Sequence, residues 1–403
     1  MLKRHVESVL YQELDNPKVL LLLGARQTGK TTLLKKIHAY LDKHEKTVFL
    51  ITLEDPEILS ILNHHPEGLF KIVPKDQQIA VLIDEIQYLA NPSNFLKYIY
   101  DLYSPTIKLI VTGSSAFYID QKFNDSLAGR KIIHHIYPLS FSEFLESKNE
   151  DSLIALIEKQ ISFPFQKRSF LLFETRRLRD YIDEYLTYGG YPDVVLSPTF
   201  EEKKLRLQEL KDSFLKKDFL ESRIKYEDKA VALLKILASQ VGELVNTQEL
   251  SNTLDISHSA IENYLYIFQK AFIIQLVRPY FKNIRKELTK MPKVFFYDMG
   301  FLNSLLNQFD PPQNRPDRGA VLENFVFQSL LYYPIQSVNF WRTQAKQEVD
   351  FIIDDHVAYE CKWTAAMFKE NRYKVFLAAY PAIPLNVITY ADDLQINVLD
   401  VVR

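Results

Sequence analysis

The run KVLLLLGARQTGKTTLL, residues 18–34, decides the fold of the N-terminal part of the chain. Val19 to Leu23 are continuously apolar, a length and pattern that suit one buried parallel strand. Gly24 follows, then four residues, then Gly29, Lys30 and Thr31, the strand–loop–helix order of a P-loop. The glycines let the backbone wrap around phosphates with no Cβ in the way. Amide groups of the loop and of the helix start then face an anion. The loop is expected to bind ATP through Gly24, Ala25, Arg26, Gln27, Thr28, Gly29, Lys30, Thr31 and Thr32. Lys30 is expected to reach the β- and γ-phosphates, and Thr31 to bind Mg2+.

Working outward, the chain has 403 residues, enough for about two to four domains. Hydrophobic residues make up 47% and charged residues 25%, a balance that permits a substantial core. The single cysteine excludes an internal disulfide framework and fits a reducing compartment. The start, MLKRHVESVLYQELDNP, lacks an apolar signal region, and VLLLLGA is far too short to span a bilayer. A cytoplasmic protein with no membrane partner is expected. The net charge of −2 means that any contact with nucleic acid must come from local basic patches.

A second strand in QQIAVLIDEIQYL ends in Asp84 and Glu85. Paired acids at the tip of a buried strand are costly unless something cationic uses them. Asp84 fits the magnesium-side carboxylate of a Walker B strand, and Glu85 the group that polarises an attacking water. A third strand, IKLIVTGSSAF, ends in Thr112, Gly113, Ser114 and Ser115. Ser114 lies where a γ-phosphate or its water is sensed, unless this end is a simple turn. In DSLAGRKIIHHIYPLSFSEFL, Arg130 follows a glycine. It has two readings: a catalytic arginine reaching a neighbouring subunit's nucleotide, or a surface arginine paired with a local carboxylate.

These motifs, in this order, resemble the bacterial and archaeal AAA-type ATPases that carry a C-terminal restriction-endonuclease-like domain of unknown function. The residues that carry the resemblance are GARQTGKTTLL, LIDEIQ, TGSSA, SLAGR, PLSFSEF and YGGYPDVV, followed by KVFFYDMGFL, GAVLENFVFQSL, EVDFII and YECKW. The individual motifs are short, but the ordered set covers nearly the whole chain. Together with the patterns of the later segments, the expected organisation is an α/β protein with a P-loop ASCE/AAA-type core at 1–145, a helical lid at 146–225, a winged helix at 226–290 and a PD-(D/E)xK-like α/β domain at 291–403. The resemblance also implies ATP binding, ATP hydrolysis and a homo-oligomer.

From about Glu146 to Lys225 the pattern is mainly helical. Arg176, Arg177 and Arg179 form either a nucleotide-sensing lid or a solvated helix face. Gly189 and Gly190 are expected to stop the helix. Further on, Thr247 or Asn246 caps one helix and Ser257 a second. Leu250 and Leu254 mark the buried side of the first; Ile261, Leu265 and Phe268 mark that of the second. The exposed start of the second helix offers His258, Ser259, Glu262 and Asn263, a poor set for reading bases. The cations sit instead in an expected wing: Arg278, Lys282, Arg285, Lys286, Lys290 and Lys293. Such a wing grips DNA or RNA phosphates with little sequence preference, or else packs between domains.

In the last domain Glu323 shares a helix face with Val326, Phe327 and Leu330, so it needs a partner. EVDFIIDDHVAYECKW reads as two strands around a polar turn, with Glu360 and Lys362 on one face and Val357, Tyr359, Cys361 and Trp363 on the other. A three-residue loop, Asp354 to His356, sets Asp350 opposite Glu360; a two-residue loop sets it against Cys361. Asp350, Glu360 and Lys362 with helical Glu323 resemble a PD-(D/E)xK nuclease centre. Two readings stand. In one, Glu323, Asp350 and Glu360 hold a divalent metal while Lys362 serves catalysis. In the other, Glu360 and Lys362 are an ion pair on an inactive scaffold. Cys361 is expected to be packed rather than reactive.

Overall fold

The computed structural model describes residues 2–114, 127–159, 172–221, 224–281 and 290–390. The chain divides into two compact units. One comprises Lys3–Tyr137 with Lys270–Phe272, the other Pro138–Gln269 with Ile273–Arg403.

The first unit runs α1 (Val6–Gln12), β1 (Val19–Leu23), α2 (Lys30–Lys43), β2 (Thr47–Thr52), α3 (Pro56–His64), β3 (Ile79–Asp84), α4 (Pro92–Tyr103), β4 (Ile107–Gly113) and β5 (Lys131–His135). All five strands are parallel, in the order β2-β3-β4-β1-β5. A parallel sheet is covered on both faces, so its inner strands are apolar throughout rather than alternating. Every residue of β1 and β3 is accordingly buried. Leu20, Leu22, Leu33, Ile37, Leu82 and Ile110 share one core cluster, which fixes α2 against the sheet. Asp55 and Asn91 cap α3 and α4, each with proline in the first turn, where the missing N–H costs nothing. Because β4 separates β1 from β3, the ends of these three strands lie side by side. Ligands of open α/β sheets bind beyond such carboxyl ends.

The second unit begins with α5 (Phe141–Ser147), α6 (Asp151–Lys159), α7 (Leu172–Tyr188), α8 (Pro192–Val195) and α9 (Phe200–Glu221), bearing out the helical expectation for this stretch. α7 stops where the paired glycines follow, and Gly189 takes φ 74°. There follow α10 (Glu227–Ser239), α11 (Thr247–Leu254), α12 (His258–Lys270), β6 (Ile274–Pro279), β7 (Lys293–Phe296), α13 (Met299–Leu306), α14 (Arg318–Leu330), β8 (Val338–Arg342), β9 (Glu348–Ile353), β10 (Val357–Lys362), α15 (Lys374–Ala379) and β11 (Leu385–Thr389). The buried residues of α11 and α12 include Leu250, Leu254, Ile261, Leu265 and Phe268, as their spacing requires.

Asn246, not Thr247, caps α11: its side chain accepts the N–H groups of Gln248 and Glu249. Thr247 is the first helical residue, and its hydroxyl meets His258 Nε2 at 2.7 Å instead. β6 and β7 pair antiparallel, but β6 also pairs in parallel with β8. β6, the strand that leads into the expected wing, and β7 therefore lie at one side of a six-stranded sheet, β11-β10-β9-β8-β6-β7. The hairpin of β9 and β10 has the three-residue loop. Ile353 faces Val357, Ile352 faces Ala358 and Phe351 faces Tyr359. The next step of that register sets Asp350 against Glu360.

Candidate functional site

In the first unit the chain leaves β1 at Gly24, whose N–H donates to Gly113 O at 3.3 Å. A Cβ on Gly24 would lie 2.0 Å from the carbonyl oxygen of Ile136, so only glycine fits there. Gln27 and Gly29 have φ of 61° and 92°, the left-handed turns that curl the loop before α2. Lys30 is buried and donates its ammonium to Gly24 O at 2.9 Å and Ala25 O at 2.6 Å. Thr28 Oγ1 closes the loop on Ala25 O at 2.9 Å.

Thr31, in the first turn of α2, donates its hydroxyl to Asp84 Oδ2 at 2.7 Å. Thr112 at the end of β4 donates to the other oxygen, Asp84 Oδ1. Thr112 Oγ1 in turn accepts the N–H of Glu85 at 3.0 Å. Two of the three strand ends are thus locked through one hydroxyl, and the third is tied in by α2. Glu85 has φ 59°, a conformation that non-glycine residues adopt at a cost and that recurs at functional sites. Gln87 donates its amide to the Glu85 carboxylate and, at 2.8 Å, to Ser114 Oγ. Its own oxygen, Oε1, is buried with no hydrogen-bond partner. Ser115 lies outside the described residues.

The hydroxyl of Thr31 and the carboxylate of Asp84 are hard oxygen ligands at one spot, a set that fits Mg2+ held mainly by phosphates. Arg4 was invisible to motif reading. Its buried guanidinium donates to Thr28 O and to Tyr137 O, each at 2.8 Å, and so braces the phosphate loop from behind. Arg130 sits elsewhere. It adjoins Lys131, which pairs with Val19 at the start of β1. That is the far end of β1 from the phosphate loop, about 16 Å away for five residues of strand. Its Nε meets Asp101 Oδ1 of α4 at 2.6 Å.

In the second unit the acids expected to share a metal do not do so. Among the described residues no group of three or more His, Cys, Asp or Glu side chains is placed to hold a metal ion. The reason is a lysine. Lys293, expected as an exposed wing cation, is buried, and its ammonium meets Glu348 Oε1 at 2.5 Å, Glu323 Oε2 at 3.5 Å and Asp350 Oδ1 at 3.8 Å. Burial alone would lower its pKa, but Glu323, Asp350 and Glu348 together push it up. The second oxygen of Asp350 accepts the N–H of Cys361 at 2.7 Å. Glu360 Oε1 is held by Lys362 and, at 2.8 Å, by the hydroxyl of Tyr373. Glu360 Oε2 is buried without a partner. Burial raises the pKa of Glu323, Asp350 and Glu360 alike. The partner expected for Glu323 is thus a cation, Lys293. Cys361 is buried, and that burial pushes its thiol well up, so it is packed and not nucleophilic.

Of the other wing cations, Arg278 and Lys290 are exposed, while Lys282, Arg285 and Lys286 lie outside the described residues. A cavity of about 760 Å³ is lined by Phe281, Lys290, Met291, Trp341, Arg342 and Lys346 among others. Arg177 pairs with Glu150 rather than forming part of a described phosphate site.

Comparison with known proteins agrees with the geometry of the first unit. A family model described as an AAA domain matches residues 16–145. Residues 16–145 are thus similar to an AAA domain, in keeping with the P-loop geometry of β1, the following loop and α2. Residues 179–311 and 318–402 match two domains of unknown function, DUF8612 and DUF4143. The chain is 28% identical over 397 residues to the uncharacterized protein MJ1544 of Methanocaldococcus jannaschii, covering 93% of this chain and 83% of that one. It is 28% identical over 356 residues to an uncharacterized protein of Haemophilus influenzae, covering 85% and 81%. The structure of AMPPCP-bound DnaA from Aquifex aeolicus overlaps 66% of this chain and 86% of that one, with 16% identity and a TM-score of 0.33. No described helix is long and apolar enough to cross a membrane.

Proposed function

We propose that this protein is a magnesium-dependent ATPase whose nucleotide state controls a nucleic-acid-binding C-terminal region. The observation that carries the first half is the bond network of Lys30, Thr31, Asp84, Glu85 and Thr112 at adjoining strand ends. Lys30 exchanges its two loop carbonyls for the β- and γ-phosphates. Thr31 and Asp84 hold the magnesium. When bound there, magnesium would supply positive charge that offsets the charge of the phosphates. Glu85 accepts a proton from the attacking water, and Gln87 fixes the carboxylate's direction. Ser114, held by Gln87, senses the γ-phosphate. Calorimetric titration with a non-hydrolysable ATP analogue and Mg2+ tests the site. Binding by the wild type that is lost in Lys30→Ala supports it; equal affinity in both contradicts it.

The nucleic-acid reading rests on charge. Lys290 and Lys346 are exposed beside a groove with an aromatic wall, a surface suited to a phosphate backbone without base reading. Binding to single-stranded oligonucleotides should weaken steeply with salt and lose about 1.4 units of salt slope in Lys290→Glu/Lys346→Glu, about 0.7 per phosphate contact. Salt-insensitive binding would favour a protein partner. The C-terminal acids enter this reading as a scaffold. With Lys293 among them, metal-dependent cleavage has no centre to run on. A homo-oligomer and the cytoplasm complete the proposal; sedimentation with and without nucleotide tests the assembly.

A further inference from the structure

The side chain of Lys293 is only 2% exposed, the environment in which a lone ammonium is least tolerated. Three carboxylates from two elements meet it: Glu323 from α14, and Glu348 and Asp350 from β9. Glu348 is shared with Arg342 at 2.6 Å, so every acid near Lys293 has a defined cationic neighbour. A divalent ion in the same place would need those oxygens at about 2.0–2.6 Å from one point. The ammonium stands among those oxygens, at 2.5 Å from Glu348, 3.5 Å from Glu323 and 3.8 Å from Asp350. A metal and an ammonium together would place like charges within about 4 Å in a poorly solvated centre, which is strongly unfavourable.

We propose that Lys293 is the resident cation of this acidic centre. Its ammonium fills the space between these carboxylates and keeps it closed to hard divalent cations. Glu323, Glu348 and Asp350 are arranged around it, so removing that side chain would leave three carboxylates free to close on a divalent ion. Glu360, whose Oε2 is buried and unpartnered, supplies the further oxygen that an opened site would recruit. The proposal is independent of the nucleotide reading, because it concerns groups within the second unit alone.

The probe is Mn2+ alone, followed by its paramagnetic resonance signal in nucleotide-free, full-length protein. Asp84→Asn serves as the parent, which removes the P-loop carboxylate from the count. The parent should bind no Mn2+ that depends on Asp350. Adding Lys293→Met should create one site about tenfold or more tighter than anything in the parent, as removal of a nearby like charge requires. Adding Asp350→Asn to that variant should abolish it. Lys293→Met that unfolds in chelator but refolds with Mn2+ supports the proposal equally. Three results would overturn it: Asp350-dependent Mn2+ binding by the parent, the same binding by Lys293→Arg, or a Lys293→Met protein that takes up no Mn2+, folded or not.

Discussion

The hydroxyl of Thr31 lies 2.7 Å from Asp84 Oδ2, joining the first turn of α2 to the tip of β3. Thr112 holds the other oxygen of the same carboxylate. The Asp84 carboxylate is therefore fixed before any metal arrives, which spares its ordering cost on binding. Asp84→Asn keeps the size and removes the charge. ATP binding should persist in this variant while Mg2+ no longer strengthens it, and turnover should fall about a hundredfold or more. Nucleotide titrations at varied Mg2+ check this; an unchanged Mg2+ dependence would remove Asp84 from the metal site.

Arg4 braces the phosphate loop through Thr28 O and Tyr137 O. Arg4→Met keeps much of the packing but leaves two carbonyls without these charged donors. A loss of about 1–3 kcal/mol in stability is expected. The KM for ATP should rise more than kcat falls, because the loop is loosened in the free protein. Thermal unfolding and steady-state kinetics together test this; a pure kcat loss would place Arg4 in the chemistry instead.

Arg130 and Asp101 separate the two readings of that arginine. If Arg130 completes a neighbour's site, Arg130→Ala should lose about a thousandfold in turnover. Mixing it with Lys30→Ala should then restore part of the activity, since one interface in the mixture carries both intact halves. If the pair is only structural, Arg130→Ala and Asp101→Ala should behave alike, with small stability losses and near-normal turnover.

Asp298 caps α13 from a buried site. Its carboxylate accepts the N–H of Gly190 at 2.7 Å and of Phe301 at 2.8 Å. Burial raises its pKa to about 6 despite these bonds. A carboxyl whose folded pKa lies above its unfolded value binds more protons in the folded state between the two. This group's contribution to stability is therefore greatest below about pH 4, falls as pH rises through about 6, and is level above that. The difference in unfolding free energy between wild type and Asp298→Asn should change across that window. A constant difference from pH 4 to 8 would show that Asp298 does not titrate there.

Gly189 meets the same carboxylate: a Cβ on it would lie 2.2 Å from Asp298 Oδ1, at φ +74°. Gly189→Ala should therefore cost more than the roughly 1–2 kcal/mol of the left-handed backbone alone. Chemical denaturation measures it.

The phosphate loop was legible because its chemistry is local: strand, glycines, lysine and helix start are adjacent in sequence. The hairpin of β9 and β10 was legible too, since a polar turn of either length allowed only two registers. Arg4 was not, because a lone arginine upstream carries no pattern; its partners are carbonyls far along the chain. Lys293 was misread for a related reason. It follows a basic stretch, and a reading of that stretch as a wing makes every cation in it look solvated. Only the pairing of β7 with β6, which itself pairs with β8, makes it part of the six-stranded sheet, where its burial forces it to find carboxylates. The same lysine is the partner of Glu323, the acid read as needing one, and it also stands 3.8 Å from Asp350, one of the expected metal ligands.

The central claim is that the strand ends of the first unit hydrolyse ATP. The most direct measurement is phosphate release from Mg-ATP by the wild type, Lys30→Ala and Glu85→Gln in parallel. Turnover by the wild type, none above background in Lys30→Ala, and retained nucleotide binding without turnover in Glu85→Gln are expected. Equal phosphate release by all three proteins would contradict it.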